Sequence, residues 1–440
     1  MHRRNRPFLF LKSITGIWLL VVATISEAEF FPEPLTLDFV LGVDVALHPN
    51  IQTAAAMLQL HQSGRQQVDA ADDLTADLQV RAQIVEPSQF ALDQSRDDHQ
   101  VSLLLRKQLY DFGRSSALQA AASANVESGE LILFDAINQH RIAIMTQFFD
   151  VLLADLKFIH DNEAMSMAFV RLDRARSRNE LGQLSDIELY DLENSYQKTR
   201  RDYSESQSLQ RRTRARLANA LNRPGELVSE IAEPVLFLPG KLLPDVEHYQ
   251  QQAEQSNPVL GALRHQLKAA ERQIDASRAD KKPILESEIA VSEYARKSGS
   301  HDEWRAAIIL DIPLMTGDSI KAQVTKRRAE RKLIQSQLRA TEMDIAQSVL
   351  ETWQHMEILA VSRQQIKTQI EFRDLYLERS RALYEMEVQS DLGDAMVQMS
   401  GAHLQLANVE YQIVLAWVRL QALIGNKVAL PKAPERVNDE

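Results

Sequence analysis

Hydrophobic residues recur with two different spacings along this chain. In two long stretches they follow one another at intervals of mostly three, four or seven positions, which places them on one face of an α-helix. These positions are Ile137, Ile144, Phe148, Leu152, Leu156 and Ile159 in the first stretch, and Ile345, Val349, Trp353, Met356 and Leu359 in the second. The pattern predicts two long helices, each with one apolar face.

Ahead of each long helix the spacing falls to two, which indicates β-strands with one apolar and one polar face. The apolar positions are Leu78, Val80, Ala82 and Ile84, then Val101, Leu103 and Leu105, then Leu285, Ile289 and Val291, and finally Trp304, Ala306, Ile308, Leu310 and Ile312. Polar loops at 89–98 and 294–303 join them into two hairpins. Two interpretations remain open: membrane strands, or soluble hairpins that cap a coiled coil.

Proline placement sets the lengths of the helices, because proline interrupts helix interiors. No proline occurs between Pro87 and Pro224 or between Pro313 and Pro431. We predict long helices of about 100 Å at 115–181 and 319–386, and shorter return helices at 186–222 and 391–424. Leading helices are predicted at 36–71 and 245–281. A leading helix stacked end to end on a return helix equals one long helix in length.

The two halves of the chain match in order and spacing, which indicates an internal duplication. The segments 109–113 and 314–318 are separated by 205 positions, and so are 180–186 and 385–391. His48-Pro49 likewise corresponds to Asn257-Pro258. The predicted organisation is a first structural repeat at 29–225, a linker at 226–244, a second repeat at 245–425 and a C-terminal tail at 426–440.

The N-terminus has the layout of a secretory signal peptide, predicted at 1–28. Basic residues precede an apolar run at 14–25 that is shorter than the roughly 20 residues of a spanning helix. Small residues, Ser26 and Ala28, then offer a cleavage site. The alternative is an N-terminal membrane anchor.

Composition narrows the function further. Only 14 glycines and 14 prolines occur in 440 residues, which favours long uninterrupted elements. The net charge of −11 argues against a nucleic-acid binder, and the absence of cysteine excludes thiolate chemistry and an N-terminal lipid on cysteine.

No motif of a nucleotide-binding, hydrolase or zinc-protease site occurs, so we expect no enzyme activity, no cofactor and no resident metal. Two weak metal candidates, His160 with Glu163 and Met396 with Met399 and His403, are better explained as helix surface and core packing. The basic runs at 211–214 and 326–328 are interpreted as solvated helix faces.

Four strands cannot close a membrane barrel, and an open sheet would leave unpaired edges in hydrocarbon. Strands must therefore be pooled between copies, giving eight strands from two chains or twelve from three. Long helices attached to such a barrel would form a hollow cylinder.

The chain resembles the TolC-type outer-membrane efflux proteins over nearly all of its predicted mature length. The motifs that carry the resemblance are 35–37 with His48-Pro49, the strand-to-helix segments 109–114 and 312–317, Glu180-Leu181-Gly182 with Glu188, and Leu420, Leu423 and Gly425. Two positions depart from the family pattern: Glu387 stands where glycine is usual, and Gly393 where an acidic residue is common.

The resemblance implies a mainly α fold with a small β part. Duplicated antiparallel helical hairpins form an α-barrel, and four strands per chain contribute to a trimeric transmembrane β-barrel. It implies an exit duct of a tripartite efflux or type I secretion system, in the outer membrane and extending into the periplasm. Its partners would be outer-membrane lipid, a periplasmic adaptor (membrane fusion) protein and an inner-membrane pump of RND or ABC type. The alternative function is a periplasmic coiled-coil adaptor or scaffold without a pore.

Both turns at the far ends of the long helices are predicted to form the periplasmic mouth. Adaptor docking is assigned to Leu181, Gly182, Gln183, Leu184 and Ser185, and to Met386, Glu387, Val388 and Ser390. The entrance or gate candidates are Glu188, Asp191, Tyr384, Gln389, Asp391 and Asp394. Three copies of the acidic residues would form a ring that favours cations. The alternative is that they only complement the helix dipoles.

Overall fold

The computed structural model describes residues 31–430 apart from 237, 239–243, 297–301 and 387–390. The predicted signal peptide at 1–28, most of the predicted C-terminal tail and part of the linker therefore lie outside the described residues. Within them the fold is mainly α-helical with one antiparallel sheet, as predicted.

The elements follow the same order in both halves. The first half contains α1 (Leu37–Gly42), a 3-10 turn (Val45–Leu47), α2 (Pro49–Ala70), β1 (Thr75–Arg81), β2 (Gln100–Tyr110), α3 (Arg114–Glu180) and α4 (Asp186–Ala220). The second contains α5 (Val246–Ser256), α6 (Pro258–Ala279), β3 (Ile284–Tyr294), β4 (Trp304–Asp311), α7 (Ser319–Glu385) and α8 (Leu392–Leu423).

The two long helices, α3 and α7, have 67 residues each, or roughly 100 Å. The segment 114–180 contains no proline, so nothing in the sequence interrupts the helix. Gly113 precedes α3 with φ 96°, a backbone conformation that glycine adopts without steric cost. Long helices and return helices therefore agree with the sequence pattern to within a few residues.

The leading helices were predicted as single rods, and this is wrong in both halves. The first is divided into α1, a 3-10 turn and α2, and the second into α5 and α6. Both α2 and α6 begin with proline, after the N-caps His48 and Asn257. Proline fits the first turn of a helix but disfavours helical backbone in the residue before it, so a new helix starts at each proline.

End-to-end stacking of return and leading helices is nevertheless present. The side-chain amide of Asn222, just after α4, donates to the carbonyl of Leu47, just before α2, at 3.2 Å. In the second half the amide of Asn257 donates to the carbonyl of Leu423, the last residue of α8, at 2.9 Å. Each long helix therefore packs against a leading helix near the sheet and a return helix further away.

The hydrophobic core lies where α3 crosses α8, about halfway along the long helices. Phe149 stacks on Tyr411 with ring centroids 4.5 Å apart, and Phe148 packs beside them with no exposed surface. A second cluster joins α5, α7 and α8 around Val349 and Leu420. These two clusters hold the repeats together at the middle of the molecule.

The four strands form one antiparallel sheet in the order β1-β2-β3-β4. Leu78, Leu103, Val291 and Trp304 are aligned across it, and so are Leu105, Ile289 and Ala306. Aligned residues share a face, so the predicted apolar positions do form one face. The first strand covers 75–81 rather than 78–84, and Ile84 forms only an isolated bridge with Asp97.

Candidate functional site

The apolar face of the sheet is exposed in the single chain. Trp304 and Ile308 keep 71% and 75% of their surface accessible, and Leu78, Val80 and Val291 are exposed as well. Soluble monomers rarely expose so large a contiguous apolar surface. This face is therefore a surface for lipid or for another protein.

The opposite face carries an ion-pair network. Glu288 on β3 accepts from Arg106 Nε on β2 at 3.3 Å and from Arg305 Nη2 on β4 at 2.7 Å. The alternation of apolar and polar residues alone predicts that an arginine at position 288 is tolerated on the polar face, and the ion pairs argue against that prediction. An arginine there would place three cations together and remove the carboxylate that bridges three strands.

Both outer strands pair on one side only among the described residues: β1 with β2, and β4 with β3. Their other edges therefore present unpaired backbone groups. The sheet is chemically complete only when another strand pairs with each edge.

A tight polar turn connects the sheet to α3. Asp111, which is buried, accepts from the backbone N–H of Gly113 at 3.1 Å and from the Ser115 hydroxyl at 2.6 Å. Burial acts to raise the pKa of the Asp111 carboxyl, but the bonds from Ser115 and the neighbouring N–H groups outweigh it, and the pKa is lowered. The carboxylate thereby fixes the angle at which helix and sheet meet.

The turn at the far end of the first hairpin is well defined. Gly182 has φ 69°, and the Ser185 hydroxyl accepts from the Glu188 N–H at 3.3 Å. The Glu188 carboxylate in turn accepts from the Ser185 N–H at 3.1 Å, which completes a capping box. The bonds that the carboxylate accepts from the N–H and the hydroxyl of Ser185 lower the pKa of Glu188. Leu181 beside the turn is exposed.

The corresponding turn of the second hairpin lies largely outside the described residues. Those residues include the gate candidate Gln389 and the docking positions Glu387, Val388 and Ser390. Met386 follows α7 as its C-cap and is exposed, and Tyr384 keeps 64% of its surface accessible. In the described part of the chain no hydrogen bond joins Tyr384 to Glu188, whose carboxylate is engaged by Ser185.

The acidic gate candidates differ in their surroundings. Asp394 forms an ion pair with Arg171 on α3. Asp391 precedes α8 and is exposed, without a capping bond from its side chain. Asp191 is exposed on α4. Half of the predicted acidic ring, Glu188 and Asp394, is therefore bound to groups within the same chain.

Two residues of α3 hold this end of α8: Met167, which sequence reasoning did not identify, and His160, which it named only as a weak metal candidate. A Cβ at Gly393 would overlap the side chain of Met167, so the absence of a side chain lets α8 approach α3 closely. Gly401 lies similarly against His160, which is within 3.2 Å of the Ser400 hydroxyl. The only sequence signal for these contacts was the pair of glycines, Gly393 and Gly401, eight positions apart inside a predicted helix.

Two other findings concern the described residues only. They contain no group of three or more His, Cys, Asp or Glu side chains placed to hold a metal ion. None of the helices in this part of the chain combines the length and apolarity needed to span a membrane.

Comparison with known proteins gives a family match over part of the chain and a shared fold over most of it. Residues 250–426 match the family model described as outer membrane efflux protein. The solved outer membrane protein VceC from Vibrio cholerae aligns with a TM-score of 0.72 at 15% identity, over 89% of this chain and 97% of that one. The Campylobacter jejuni CmeC outer membrane channel aligns with a TM-score of 0.74 at 12% identity, over 90% and 87%.

The open-state Neisseria gonorrhoeae MtrE outer membrane channel aligns with a TM-score of 0.66 at 16% identity, over 89% of each chain. No significant match was found among curated protein sequences. At these identities the structural likenesses establish a shared fold. Together with the domain match they confirm the resemblance to outer-membrane efflux proteins.

Proposed function

We propose, on the basis of its fold and its outer membrane efflux protein domain, that this chain is one subunit of an outer-membrane exit duct. Three copies would close a twelve-stranded transmembrane barrel, and their long helices would continue it as an α-helical tunnel across the periplasm. The duct would serve a tripartite efflux or type I secretion system and would itself be passive.

The single observation that carries the proposal is the sheet at one end of the roughly 100 Å helical hairpins. Its two faces differ in polarity, and both edges lack a partner among the described residues. In hydrocarbon such a sheet is stable only when its edges are closed by further strands. Closure by copies of the same chain satisfies the edges, exposes the apolar face to lipid and directs the Glu288 network into an aqueous lumen.

The distal turns would then form the periplasmic entrance and the docking surface for an adaptor. The docking residues of the first hairpin are those of its turn, 181–185, and those of the second are 386–388 and 390. We retain Glu188, Asp191, Tyr384, Gln389, Asp391 and Asp394 as candidate entrance residues. An inner-membrane pump of RND or ABC type would deliver the cargo.

The test is reconstitution of the full chain in planar bilayers after purification from outer membranes. We expect a crosslinked species of three subunits and discrete single-channel conductance steps. A soluble monomer without conductance would contradict the duct and would favour a periplasmic adaptor or scaffold without a pore.

A further inference from the structure

A cluster of positive charge lies at the start of α7, next to the sheet. Residues 319–332 contain six lysines and arginines and one acidic residue, in a chain whose net charge is −11. The segment 114–127 of α3, which is its counterpart in the first repeat, contains one arginine and one glutamate. The positive charge therefore belongs to one repeat only and is not required by the shared fold.

Three of these cations form a stripe on one face of α7. Lys321, Arg328 and Lys332 are seven and four positions apart, which aligns them on a helix. All three are exposed, and none has a hydrogen-bonded or ion-paired partner in the described part of the chain. Their counterparts in α3 are Ser116, Ser123 and Glu127. We refer to these three side chains as the cationic stripe.

Two neighbouring cations differ from the stripe because acidic residues pair with them. Arg331 contacts Glu271 at 2.8 Å, and Arg278 contacts Asp275 at 3.4 Å. These pairs line an open groove of about 670 Å³ between α6 and α7, together with Arg328 and Lys332. The two acids are thus already occupied, and Arg328 and Lys332 give the groove an excess of positive charge.

The cationic stripe lies on a different side of α7 from Arg327. Arg327 of α7 bonds Gln273 of α6 at 3.2 Å, and Gln273 also borders the cavity between α2 and α3. The stripe positions lie roughly 100–140° around the helix axis from Arg327, so they do not share the side of α7 that bonds Gln273.

The stripe is also close to the apolar face of the sheet. It begins two residues into α7 and extends about 17 Å along the helix. The loop before α7 exposes Leu314 and Met315, with 89% and 94% of their surface accessible. Apolar residues followed by unpaired lysine and arginine are typical of segments that contact a membrane interface.

We propose that the cationic stripe binds anionic phospholipid headgroups of the membrane leaflet nearest the helices, while Leu314 and Met315 contact the acyl chains. The inference rests on the proposed function, because it requires the sheet to lie in a membrane. Phosphate groups suit the stripe because lysine and arginine donate charge-assisted bonds to them. The exposed Leu333 lies further round α7, outside the stripe.

The test uses the full chain purified in mild detergent and native mass spectrometry with added phosphatidylglycerol or phosphatidylcholine. The stripe variant combines Lys321→Gln, Arg328→Gln and Lys332→Gln. The control variant combines Arg200→Gln, Arg211→Gln and Arg212→Gln, which removes the same charge from exposed positions on α4, far from the sheet.

We expect wild type and control to retain phosphatidylglycerol in preference to phosphatidylcholine, and the stripe variant to lose about fivefold in phosphatidylglycerol affinity per cation removed. Raising the ammonium acetate concentration should weaken the preference, because salt screens exposed charges. Equal preference in all three proteins would overturn the inference.

Displacement of the lipid by millimolar inorganic phosphate would also overturn it, because the stripe would then be a site for free phosphate. The proposed function is tested separately on the same preparations. The mass of the complex gives the number of subunits, and bilayer conductance shows whether a pore is present. Trimers that conduct without lipid preference leave the duct intact and refute only the lipid site. Monomers without conductance would refute both.

Discussion

Asn257 donates a hydrogen bond from its side-chain amide to the carbonyl of Leu423, 2.9 Å away. The same side chain accepts from the Val259 and Leu260 N–H groups at 2.9 and 3.1 Å, so it both caps α6 and closes α8. This buried amide therefore joins α8 and α6 end to end. Together the two helices form a rod that matches α7 in length.

Replacing Asn257 with alanine should destabilise the protein by about 2–3 kcal/mol, because it removes a helix cap and a buried hydrogen bond. Asn257→Ser keeps a capping oxygen but cannot reach Leu423, so about half of that loss is expected. Denaturant unfolding of the detergent-solubilised protein measures both. An alanine variant as stable as wild type would show that the junction does not contribute to the free energy of unfolding.

Gly425→Ala should be more damaging than Gly182→Ala. Both glycines have positive φ, 83° and 69°, so both substitutions carry the backbone strain of about 1 kcal/mol or more. A Cβ at Gly425 would also overlap the Ser256 carbonyl oxygen, whereas Gly182 has open space around it. The yield of folded protein in the outer membrane should fall sharply for the first variant only; similar yields would contradict the close approach of α8 to α5.

Acidification should destabilise the protein through His140. This residue is buried against His48, with ring centroids 3.9 Å apart, and burial together with His48 lowers its pKa to about 4. A depressed histidine pKa favours the neutral folded form, so its stabilisation is complete above pH 6.5 and is lost as the pH falls towards 4.

The expected loss over that range is on the order of 3 kcal/mol. Unfolding midpoints at pH 7.5 and 4.5 should differ more for wild type than for His140→Gln, which does not titrate. The same pH dependence in both proteins would assign acid sensitivity to other groups.

The two faces of the sheet should differ in their tolerance of charge. Val80→Arg or Ile289→Arg places a cation on the apolar face and should cost about 2–4 kcal/mol if that face meets lipid. Gln79→Arg, on the polar face, is the matched control, and Glu288→Arg should fail because it breaks the Arg106 and Arg305 pairs. The trimer content of the outer membrane, measured for all four variants, checks which face meets lipid. Equal trimer content in the four variants would contradict the assignment.

Ion selectivity should depend more on Asp391 than on Asp394. Asp391 is exposed and makes no capping bond, whereas Asp394 is paired with Arg171, so its charge is partly compensated. Asp391→Asn should therefore reduce the preference for cations in planar bilayers more than Asp394→Asn does. In an Arg171→Gln background, Asp394→Asn should reduce the cation preference more than it does in wild type. An unchanged cation preference in every variant would mean that these acids only cap helix ends and that the gate lies elsewhere.

Local sequence signals were sufficient for the long helices, the return helices and the strand hairpins, and for their order, but not for the divided leading helices. Proline-free stretches with a helical period predicted α3 and α7 to within two residues, and the period of two identified which face of the sheet is apolar. The repeated spacing of 205 positions revealed the duplication. These features follow from steric limits on proline and from side-chain periodicity, which act over a few neighbouring residues.

Only the tertiary structure decided which side chains form ion pairs and hydrogen bonds, and with which partners. Sequence spacing could not show that Asp394 is neutralised by Arg171, 223 positions away, or that Glu288 is held between Arg106 and Arg305. The breaks at Pro49 and Pro258 follow from local proline sterics, but sequence spacing could not show that Asn222 and Asn257 restore continuity across them. Such contacts depend on how distant helices and strands pack. They cannot be predicted from the sequence alone, because a bond between two remote residues produces no repeating pattern along the chain.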